Sequence, residues 1–273
     1  MSETYMPVPP AQVLTIAGSD SGGGAGIQAD LKTFQMRGVF GTSVLTAVTA
    51  QNTTGVSGVH LLPGDIIRRQ IEAVRVDFQI SAFKIGMLGT AEIIECVAEG
   101  LAACDFGTMV LDPVMVAKGG TSLLEDSAVA ALRQHLLPRA DLLTPNLPEV
   151  AALTGIEVNG LKDAAAAAKK LQDMGVKTVL IKGGHLHDSR SEECLDWLFL
   201  PDCVVEFAGK RHPTKHTHGT GCTFSACITA ELAKGVEMEE AVRIAKRYIS
   251  EAVRHPLNIG AGHGPVNHWA GNR

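Results

Sequence analysis

The stretch Val13-Leu14-Thr15-Ile16-Ala17, followed by Gly18-Ser19-Asp20-Ser21-Gly22-Gly23-Gly24-Ala25-Gly26, decides the fold class. Its first five residues predict a short buried strand, and the residues from Ile27 to about Arg37 predict a helix. A strand, a glycine-rich loop and a helix in this order are typical of α/β proteins that bind a ligand at the carboxyl end of a strand. The loop has neither the Gly-Lys-Ser/Thr of a Walker A motif nor the spacing of a dinucleotide fingerprint. We therefore expect it to contact a substrate rather than the pyrophosphate of a cofactor.

Strands and helices alternate along the rest of the chain. The apolar patterns predict strands at 43–50, 82–88, 108–115, 142–146 and 178–185, and an antiparallel pair at 193–200 and 203–207. They predict helices at 63–74, 91–103, 128–137, 147–153, 163–174 and 236–253. This alternation predicts one α/β domain over residues 13–273, with a mostly parallel sheet, after a flexible leader at residues 1–12.

Composition excludes several classes of protein. Hydrophobic residues make up 45% of the 273 residues and charged residues 19%, which is ordinary for a folded enzyme and excludes global disorder. A net charge of −5 argues against nucleic acid or an anionic membrane as a partner. The chain has no apolar run near the roughly 20 residues of a membrane helix, and its start does not resemble a signal peptide. The six cysteines are scattered without metal-ligand spacing, so we expect reduced thiols and a cytoplasmic protein.

The segment His218-Gly219-Thr220-Gly221-Cys222-Thr223-Phe224-Ser225-Ala226-Cys227 opens a helical pattern that ends near Gly235. Glycines before a helix leave backbone N–H groups free to bind an anion, and the helix dipole adds positive partial charge there. A thiol at Cys222, in the first turn, is expected to have a lowered pKa. The alternative is a glycine-rich turn that caps a helix, with Cys222 as a small buried residue. Cys227 is expected to fill the core.

Several polar side chains stand at or near predicted strand ends, and each has two interpretations. Asp30, on the first helix, either complements the helix dipole or binds a substrate amine. The amide of Gln51 either solvates a loop or reads the edge of a heterocycle. Asp112 is either an exposed strand-end acid or a ligand of a hydrated metal ion. Asn146 and Glu149 form either an N-cap with its N3 acid or part of a magnesium shell.

Two lysines complete the set expected at this edge of the sheet. Lys182 follows a strand beside two glycines, where an ammonium suits a triphosphate. Lys118 lies in a glycine-containing segment at 117–120 that is expected to form a flap. Cations, acids and an anion hole together match the needs of phosphoryl transfer. The histidines of the predicted cleft are expected to be loop residues rather than ligands; they are His185, His216 and His218.

Seven motifs in order resemble the hydroxymethylpyrimidine/phosphomethylpyrimidine kinases of thiamine biosynthesis, members of the ribokinase-like superfamily. The motifs are Thr15-Ile16-Ala17-Gly18-Ser19-Asp20, Gly23-Gly24-Ala25-Gly26-Ile27-Gln28-Ala29-Asp30-Leu31-Lys32-Thr33, Val48-Thr49-Ala50-Gln51-Asn52-Thr53, Lys84-Ile85-Gly86-Met87-Leu88, Leu111-Asp112-Pro113-Val114-Met115, Thr144-Pro145-Asn146-Leu147-Pro148-Glu149 and His218-Gly219-Thr220-Gly221-Cys222. The similarity extends from about Val13 to Trp269. It implies a three-layer αβα sandwich with a mostly parallel central sheet and helices on both faces.

The resemblance also implies an activity and a set of roles. The activity is ATP- and Mg²⁺-dependent phosphorylation of 4-amino-5-hydroxymethyl-2-methylpyrimidine and then of its monophosphate. Cys222 takes the place where sugar-kinase relatives carry an aspartate base. The residues implied to hold the pyrimidine are Gln51, Asp30, Met87, Gly18 and Val114, with Lys118 on a phosphate. The residues implied to form the anion hole are Gly219, Thr220 and Gly221. Those implied to bind ATP are Lys182, Thr220 and Lys246, and those implied to bind magnesium are Asp112, Asn146 and Glu149.

Two alternatives to this function remain at the level of sequence. Some close relatives phosphorylate pyridoxal, and they resemble this chain except for a cysteine in the flap, where Ala117 stands here. The Gln51-Asn52-Thr53 pattern favours the pyrimidine, so pyridoxal is expected as a side activity. The other alternative is a non-catalytic pyrimidine-binding protein of the same fold. A homodimer is expected.

Overall fold

The computed structural model describes residues 9–115, 126–184 and 193–272. Lys118, Ala117 and His185 lie outside these residues. Within them the strands are β1 (Gln12–Asp20), β2 (Phe40–Asn52), β3 (Gly55–Leu61), β4 (Ile80–Ile85), β5 (Thr108–Leu111), β6 (Leu142–Leu143), β7 (Thr178–Lys182), β8 (Glu193–Phe199) and β9 (Val204–Lys210). The helices are α1 (Gly26–Met36), α2 (Gly64–Asp77), α3 (Ala91–Gly100), α4 (Asp126–His135), α5 (Leu147–Thr154), α6 (Leu161–Asp173), α7 (Thr220–Ala233) and α8 (Met238–Arg254).

The strands form one nine-stranded sheet in the order β3-β2-β1-β4-β5-β6-β7-β8-β9. The six strands from β2 to β7 in this order run parallel, whereas β3, β8 and β9 pair antiparallel at the two edges. The predicted mostly parallel sheet, including its antiparallel pair near residues 193–210, is confirmed.

Helices cover both faces of the sheet. Helices α1, α7 and α8 pack on one face, and α2 to α6 pack on the other. Side chains alternate accordingly: in β5, Met109 and Leu111 join the core under α2 to α6, whereas Val110 joins the core under α7 and α8. Because both faces are buried, the central strands are mostly apolar, which is why they appear in the sequence as short apolar runs with few polar residues. The ribokinase-like αβα arrangement is confirmed.

The strand order of the sheet reverses at β1, because successive strands are added first on one side of β1 and then on the other. From β1 the chain crosses to β2 on one side, and after β3 and α2 it returns to β4 on the other side of β1. Open α/β sheets bind ligands in the crevice beyond the carboxyl ends of the strands at such a switch point. The crevice here lies beyond Ala17 of β1 and Ile85 of β4.

Two expectations about the strands were wrong. β2 does not end before Gln51 but continues to Asn52 and turns into β3, a strand that the sequence interpretation missed because its side chains are mostly exposed and not apolar on one face. The strands expected at 82–88, 108–115, 142–146 and 178–185 end at Ile85, Leu111, Leu143 and Lys182. Asp112 and Asn146 therefore lie in loops, whereas Lys182 is the last residue of its strand. Within the described residues, none of the helices has the length and apolarity needed to cross a membrane.

Candidate active site

A cavity of about 1230 Å³ lies beyond the carboxyl ends of the parallel strands. Its volume exceeds the roughly 300–1,000 Å³ of a pocket for one small molecule, so it has room for two ligands side by side. Most of the predicted site residues line it; they are Gly18, Gln51, Met87, Asp112, Val114, Asn146, Glu149, Lys182, Gly219, Thr220, Gly221, Cys222 and Lys246. Asp30 does not line it, and Lys118 lies outside the described residues.

The amino terminus of α7 forms the centre of this cavity. Gly219 caps the helix with a φ of 80°, and a Cβ at this position would stand 1.8 Å from the carbonyl oxygen of Gly24. Only glycine allows the loop at residues 18–26 and the turn before α7 to pack backbone against backbone. In the described part of the chain, the N–H groups of Gly221 and Cys222 have no backbone acceptor. Free N–H groups at a helix start fit an anion, and the same turn also caps the helix.

Cys222 is half-buried in the wall of the cavity. The sequence predicted a lowered pKa for its thiol, but the pKa is raised. Burial raises the pKa of its thiol to about 11, and the nearby charges of Asp30 and Asp112 act in the same direction. The ammonium of Lys84 and the N–H of Gly26 oppose this shift. The helix terminus was a reason to expect a thiolate, but the loss of solvation in the enclosing cleft outweighs the favourable contributions of Lys84 and Gly26.

Asp30 contributes to the site through another residue. Its carboxylate is fully buried, accepts a hydrogen bond from Thr15 Oγ1 at 2.6 Å, and contacts Lys84 Nζ at 2.8 and 2.9 Å. Asp30 therefore faces a lysine rather than the cavity, and the expected direct contact with a pyrimidine does not fit this geometry.

Lys84 is a cavity residue that the sequence interpretation missed. Although burial opposes its charge, Asp30 raises the pKa of its ammonium, so it stays charged beneath the cavity floor. The signal was present in the sequence, because a single lysine inside the apolar strand Ala82-Phe83-Lys84-Ile85 requires a buried partner.

Asp112, Lys182 and Glu149 form a charged group beside the helix terminus. Lys182 Nζ contacts Asp112 Oδ1 at 2.8 Å, and Thr144 Oγ1 donates to the same oxygen at 3.0 Å. Burial alone would raise the pKa of Asp112, but the ammonium groups of Lys182 and Lys84 and the hydrogen bonds from Lys182 and Thr144 together lower it. Burial raises the pKa of Glu149 to about 7, and Asp112 adds to this shift against the charge of Lys182. A second positive charge near these two carboxylates would therefore be favourable.

Asn146 and Glu149 form a capping box at the start of α5. Asn146 Oδ1 accepts from the backbone N–H of Glu149 at 2.9 Å, and Glu149 Oε2 accepts from the N–H of Asn146 at 2.8 Å. The capping alternative is thus present in the structure. No group of three or more His, Cys, Asp or Glu side chains that could hold a metal ion occurs in residues 9–115, 126–184 and 193–272. Proteins usually bind Mg²⁺ through one or two carboxylates, with water and substrate phosphates as its other ligands. The carboxylates of Asp112 and Glu149 fit a site of that kind.

Gln51 lies at the opposite end of the cavity within a hydrogen-bonded chain. Its Nε2 lies 3.3 Å from His218 Nε2, which lies 2.9 Å from Asp20 Oδ2. The backbone N–H groups of Gly22, Gly24 and Ala25 also donate to the Asp20 carboxylate. Burial alone would raise the pKa of Asp20, but His218 and these donors lower it. The sequence interpretation missed Asp20 and treated His218 as a loop residue.

The remaining predicted residues have partners of their own. Met87 packs beside Gly18, where a Cβ would stand 2.8 Å from Met87 Sδ. The hydroxyl of Thr220 donates to the Thr217 carbonyl at 2.7 Å. Lys246 contacts Asp196 at 2.6 Å and the Cys194 carbonyl at 3.1 Å, so its charge is already balanced at the far end of the cavity. Cys227 is fully buried in the core, as expected.

The comparison with known proteins agrees with this geometry. The family model for phosphomethylpyrimidine kinase matches residues 20–267. The chain is 64% identical over 263 residues to the hydroxymethylpyrimidine/phosphomethylpyrimidine kinase of Haemophilus influenzae, covering 96% of this chain and 98% of that protein. It is 48% identical over 262 residues to the thiamine biosynthesis bifunctional protein ThiED of Geobacter sulfurreducens, covering 96% of this chain and 53% of that protein.

Solved structures show the same relationship. The pyridoxal kinase of Staphylococcus aureus in complex with AMP-PCP and pyridoxal superposes with a TM-score of 0.88 at 36% identity, covering 98% of this chain and 96% of that one. The match over most of the chain, at up to 64% identity among these relatives, leaves no doubt about the relationship. The chain belongs to the phosphomethylpyrimidine kinase family and is a phosphotransferase.

Proposed function

We propose that this chain phosphorylates 4-amino-5-hydroxymethyl-2-methylpyrimidine with ATP, and then phosphorylates the monophosphate to the diphosphate, in thiamine biosynthesis. The observation that carries the proposal is one cavity with an amide at one end, an anion-binding helix terminus and thiol at its centre, and a lysine with two carboxylates beside them. This order matches an alcohol-bearing heterocycle, the transferred phosphoryl group and the nucleotide phosphates.

The pyrimidine lies at the switch point between β1 and β4. Gln51 binds the polar edge of the ring, while Met87, Gly18 and Val114 enclose its apolar parts, all four being cavity residues. Asp30 supports this pocket indirectly, through the ion pair with Lys84. Lys118, outside the described residues, remains a prediction for a phosphate contact.

Phosphoryl transfer takes place at the start of α7. The N–H groups of Gly221 and Cys222, which follow the turn at Gly219 and are free of backbone acceptors in the described residues, stabilise negative charge as it develops on the transferred group. Cys222 accepts the proton of the hydroxyl. Burial raises the pKa of this thiol to about 11, so the thiolate that accepts the proton is scarce at neutral pH, and the Lys84 ammonium is the largest influence in its favour.

The nucleotide occupies the side of the cavity toward β7 and α8. Lys182 contacts its phosphates and Thr220 lies at the helix start beside them, while Lys246 lies further along the cavity. Mg²⁺, when bound, neutralises the phosphate charge. Asp112 and Glu149 would hold it, with Asn146 keeping Glu149 in place through the capping box.

The test is a product assay. Purified protein with ATP, Mg²⁺ and the pyrimidine alcohol should yield ADP, a pyrimidine monophosphate and then a diphosphate by anion-exchange chromatography. If neither phosphate appears while the alcohol binds tightly, the protein is a pyrimidine-binding protein of this fold instead.

Pyridoxal is a second candidate substrate, because the pyridoxal kinase of Staphylococcus aureus shares this fold over almost the whole chain. Comparing kcat/KM for the two alcohols in one coupled assay separates the candidates. We expect the aminopyrimidine to be preferred, and a higher value for pyridoxal would reverse the assignment.

The protein is also proposed to be a cytoplasmic homodimer. All six cysteines lie in the described ranges and are free, which fits a reducing compartment. The outer strands β2 and β3 expose Val48, Val59 and Leu61, an apolar surface that fits a second copy. Light scattering on the purified protein tests the dimer, and a monomeric mass would contradict it. The assignment of residues 13–273 to a single domain remains a prediction.

A further inference from the structure

His218 lies between the carboxylate of Asp20, which needs a hydrogen-bond donor, and the amide of Gln51, which can offer either a donor or an acceptor. Its Nε2 stands 2.9 Å from Asp20 Oδ2 and 3.3 Å from Gln51 Nε2. The main chain of His218 is anchored, because its backbone N–H donates to the Gly264 carbonyl and its carbonyl accepts from the N–H of Val266. The contact with Asp20 then holds the ring itself beside Gln51.

Asp20 determines which ring nitrogen carries a proton. The backbone N–H groups of Gly22, Gly24 and Ala25 donate to the two oxygens of the Asp20 carboxylate at 2.8–2.9 Å, which favours its ionised form against burial, so it can only accept. A nitrogen within 2.9 Å of such an oxygen must donate, because two lone pairs at that distance repel. His218 Nε2 therefore carries hydrogen whether the ring is neutral or charged.

A protonated Nε2 in turn restricts the amide of Gln51. The two amide orientations, related by a half-turn of the terminal group, exchange the nitrogen and the oxygen. An amide nitrogen facing Nε2–H would place two donors against each other, whereas an amide oxygen there accepts the second branch of a shared hydrogen bond.

Thr49 imposes the same choice from the other side. Its Oγ1 lies 2.9 Å from the Ser19 carbonyl oxygen and 3.2 Å from Gln51 Oε1, and its one hydrogen can serve only one of these acceptors. The shorter contact assigns the hydrogen to Ser19. Because the hydroxyl hydrogen is donated to Ser19, Thr49 Oγ1 presents a lone pair to Gln51. That lone pair can accept only from the NH₂ end of the amide. Both neighbours thus favour an amide whose oxygen points to His218 and whose nitrogen points to Thr49.

We infer that His218, paired with Asp20, fixes the direction of the Gln51 amide and so selects the orientation in which the site reads an aminopyrimidine. A ring nitrogen next to an exocyclic amine presents an acceptor beside a donor, and an amide of fixed direction pairs with that edge in one order only. A reversed amide binds the ring turned over, which moves the neighbouring hydroxymethyl group away from Cys222. His218 is therefore a positioning residue, and this inference rests on the proposed pyrimidine kinase function.

The experiment measures by calorimetry, without ATP, how tightly the wild type and the His218→Phe variant each bind two ligands. The ligands are 4-amino-5-hydroxymethyl-2-methylpyrimidine and the analogue that lacks the 4-amino group. The wild type should bind the amino compound about tenfold more tightly or better, the worth of one well-placed hydrogen bond. His218→Phe keeps a flat ring but has no donor, and should reduce the preference to about threefold or less, which removes at least about half of the free-energy difference between the two ligands.

Two further variants separate positioning from general loosening of the loop. His218→Gln supplies an amide donor and should restore most of the preference. Gln28→Leu removes the hydrogen bonds of Gln28 to Ser19 and Asp20 without touching Gln51, and should leave the preference unchanged. If His218→Phe keeps the full preference, or Gln28→Leu loses it equally, the inference is overturned.

A spectroscopic readout covers the case in which His218→Phe fails to fold. In wild-type protein labelled with ¹⁵N-histidine, Nε2 of His218 should stay protonated on both sides of the ordinary histidine pKa, and an unprotonated Nε2 refutes the inference. A wild type that binds neither pyrimidine refutes the proposed function itself, and is distinguished from a failure of the inference by the missing wild-type heat.

Discussion

Replacing Lys84 with methionine tests the ion pair beneath the active site. Lys84 and Asp30 are both fully buried, and their side chains contact each other at 2.8 and 2.9 Å. Methionine nearly matches the length of the lysine side chain but removes its charge. The variant therefore leaves the Asp30 carboxylate in the interior with the Thr15 hydroxyl as its remaining partner among the described residues.

The expected cost follows from this burial. Removing one partner of a fully buried ion pair destabilises a protein by about 3–5 kcal/mol, because the other charge is left without compensation. At roughly 2–3 °C per kcal/mol for a chain of this size, the melting temperature should fall by about 6–15 °C.

The loss should also depend on pH. Burial raises the pKa of Asp30, and the charge of Lys84 is the largest influence that lowers it. Without Lys84 the folded-state pKa of Asp30 rises further above the unfolded value. A neutral Asp30 then stabilises the variant at acid pH, and this contribution is lost as the pH rises through the folded-state pKa. The difference between wild type and variant should therefore be larger at neutral pH than at a mildly acid pH.

Scanning calorimetry on three variants checks the reasoning. Lys84→Met/Asp30→Asn removes both charges and should recover at least half of the lost stability. Lys169→Met removes the same type of charge from the exposed pair with Asp173 on α6 and should cost less than about 1 kcal/mol. If Lys84→Met costs no more than Lys169→Met, or if the double variant is less stable than the single one, the buried pair does not act as described.

Four further predictions concern the site itself. Cys222→Ala should lower kcat about 100-fold or more with little change in the affinity for the pyrimidine, because a base acts in the transition state; a loss of binding alone would make Cys222 a packing residue. Alkylation of Cys222 in the unliganded protein should accelerate about tenfold per pH unit from neutral pH upward, since its pKa is raised to about 11, and a plateau near neutral pH would contradict this. Gln51→Ala should raise the KM for the pyrimidine about tenfold with a smaller change in kcat, whereas an unchanged KM in steady-state assays would remove Gln51 from the substrate site. Gly219→Ala should abolish most turnover, because its Cβ would stand 1.8 Å from the Gly24 carbonyl oxygen. Gly235→Ala is the control: Gly235 has the same φ of 80° but open space around it, so this variant should lose some stability and keep its activity.

The sequence predicted the elements of the fold well where local signals were strong. Apolar runs bounded by glycines marked the strands of the parallel sheet, because those strands are buried on both faces. β3 was missed for the opposite reason: it is an exposed edge strand, and its pattern does not differ from that of a loop. Strand ends were also overestimated, since residues such as Asp112 and Asn146 follow the ladder without belonging to it.

The candidate site was predicted as a set of residues but not as a set of partners. The glycine-rich segments, Gln51, Asp112, Lys182 and Cys222 all line one cavity, as the convergence of parallel strand ends requires. Which charge faces which could not be predicted from the sequence. Asp30 turned out to face Lys84, a contact between residues 54 positions apart.

The alternation of apolar strands and helices predicted an α/β protein, and the glycine-rich segments at residues 18–26 and 218–222 predicted an anion site, because these are signals local to the sequence. Only the tertiary structure decided the state of the groups around that site. The thiol of Cys222 is a strong candidate for a thiolate by its place at a helix start, yet the enclosing cleft raises its pKa to about 11. Burial and long-range pairing set such energies, and both depend on side chains that the fold brings together from distant parts of the chain.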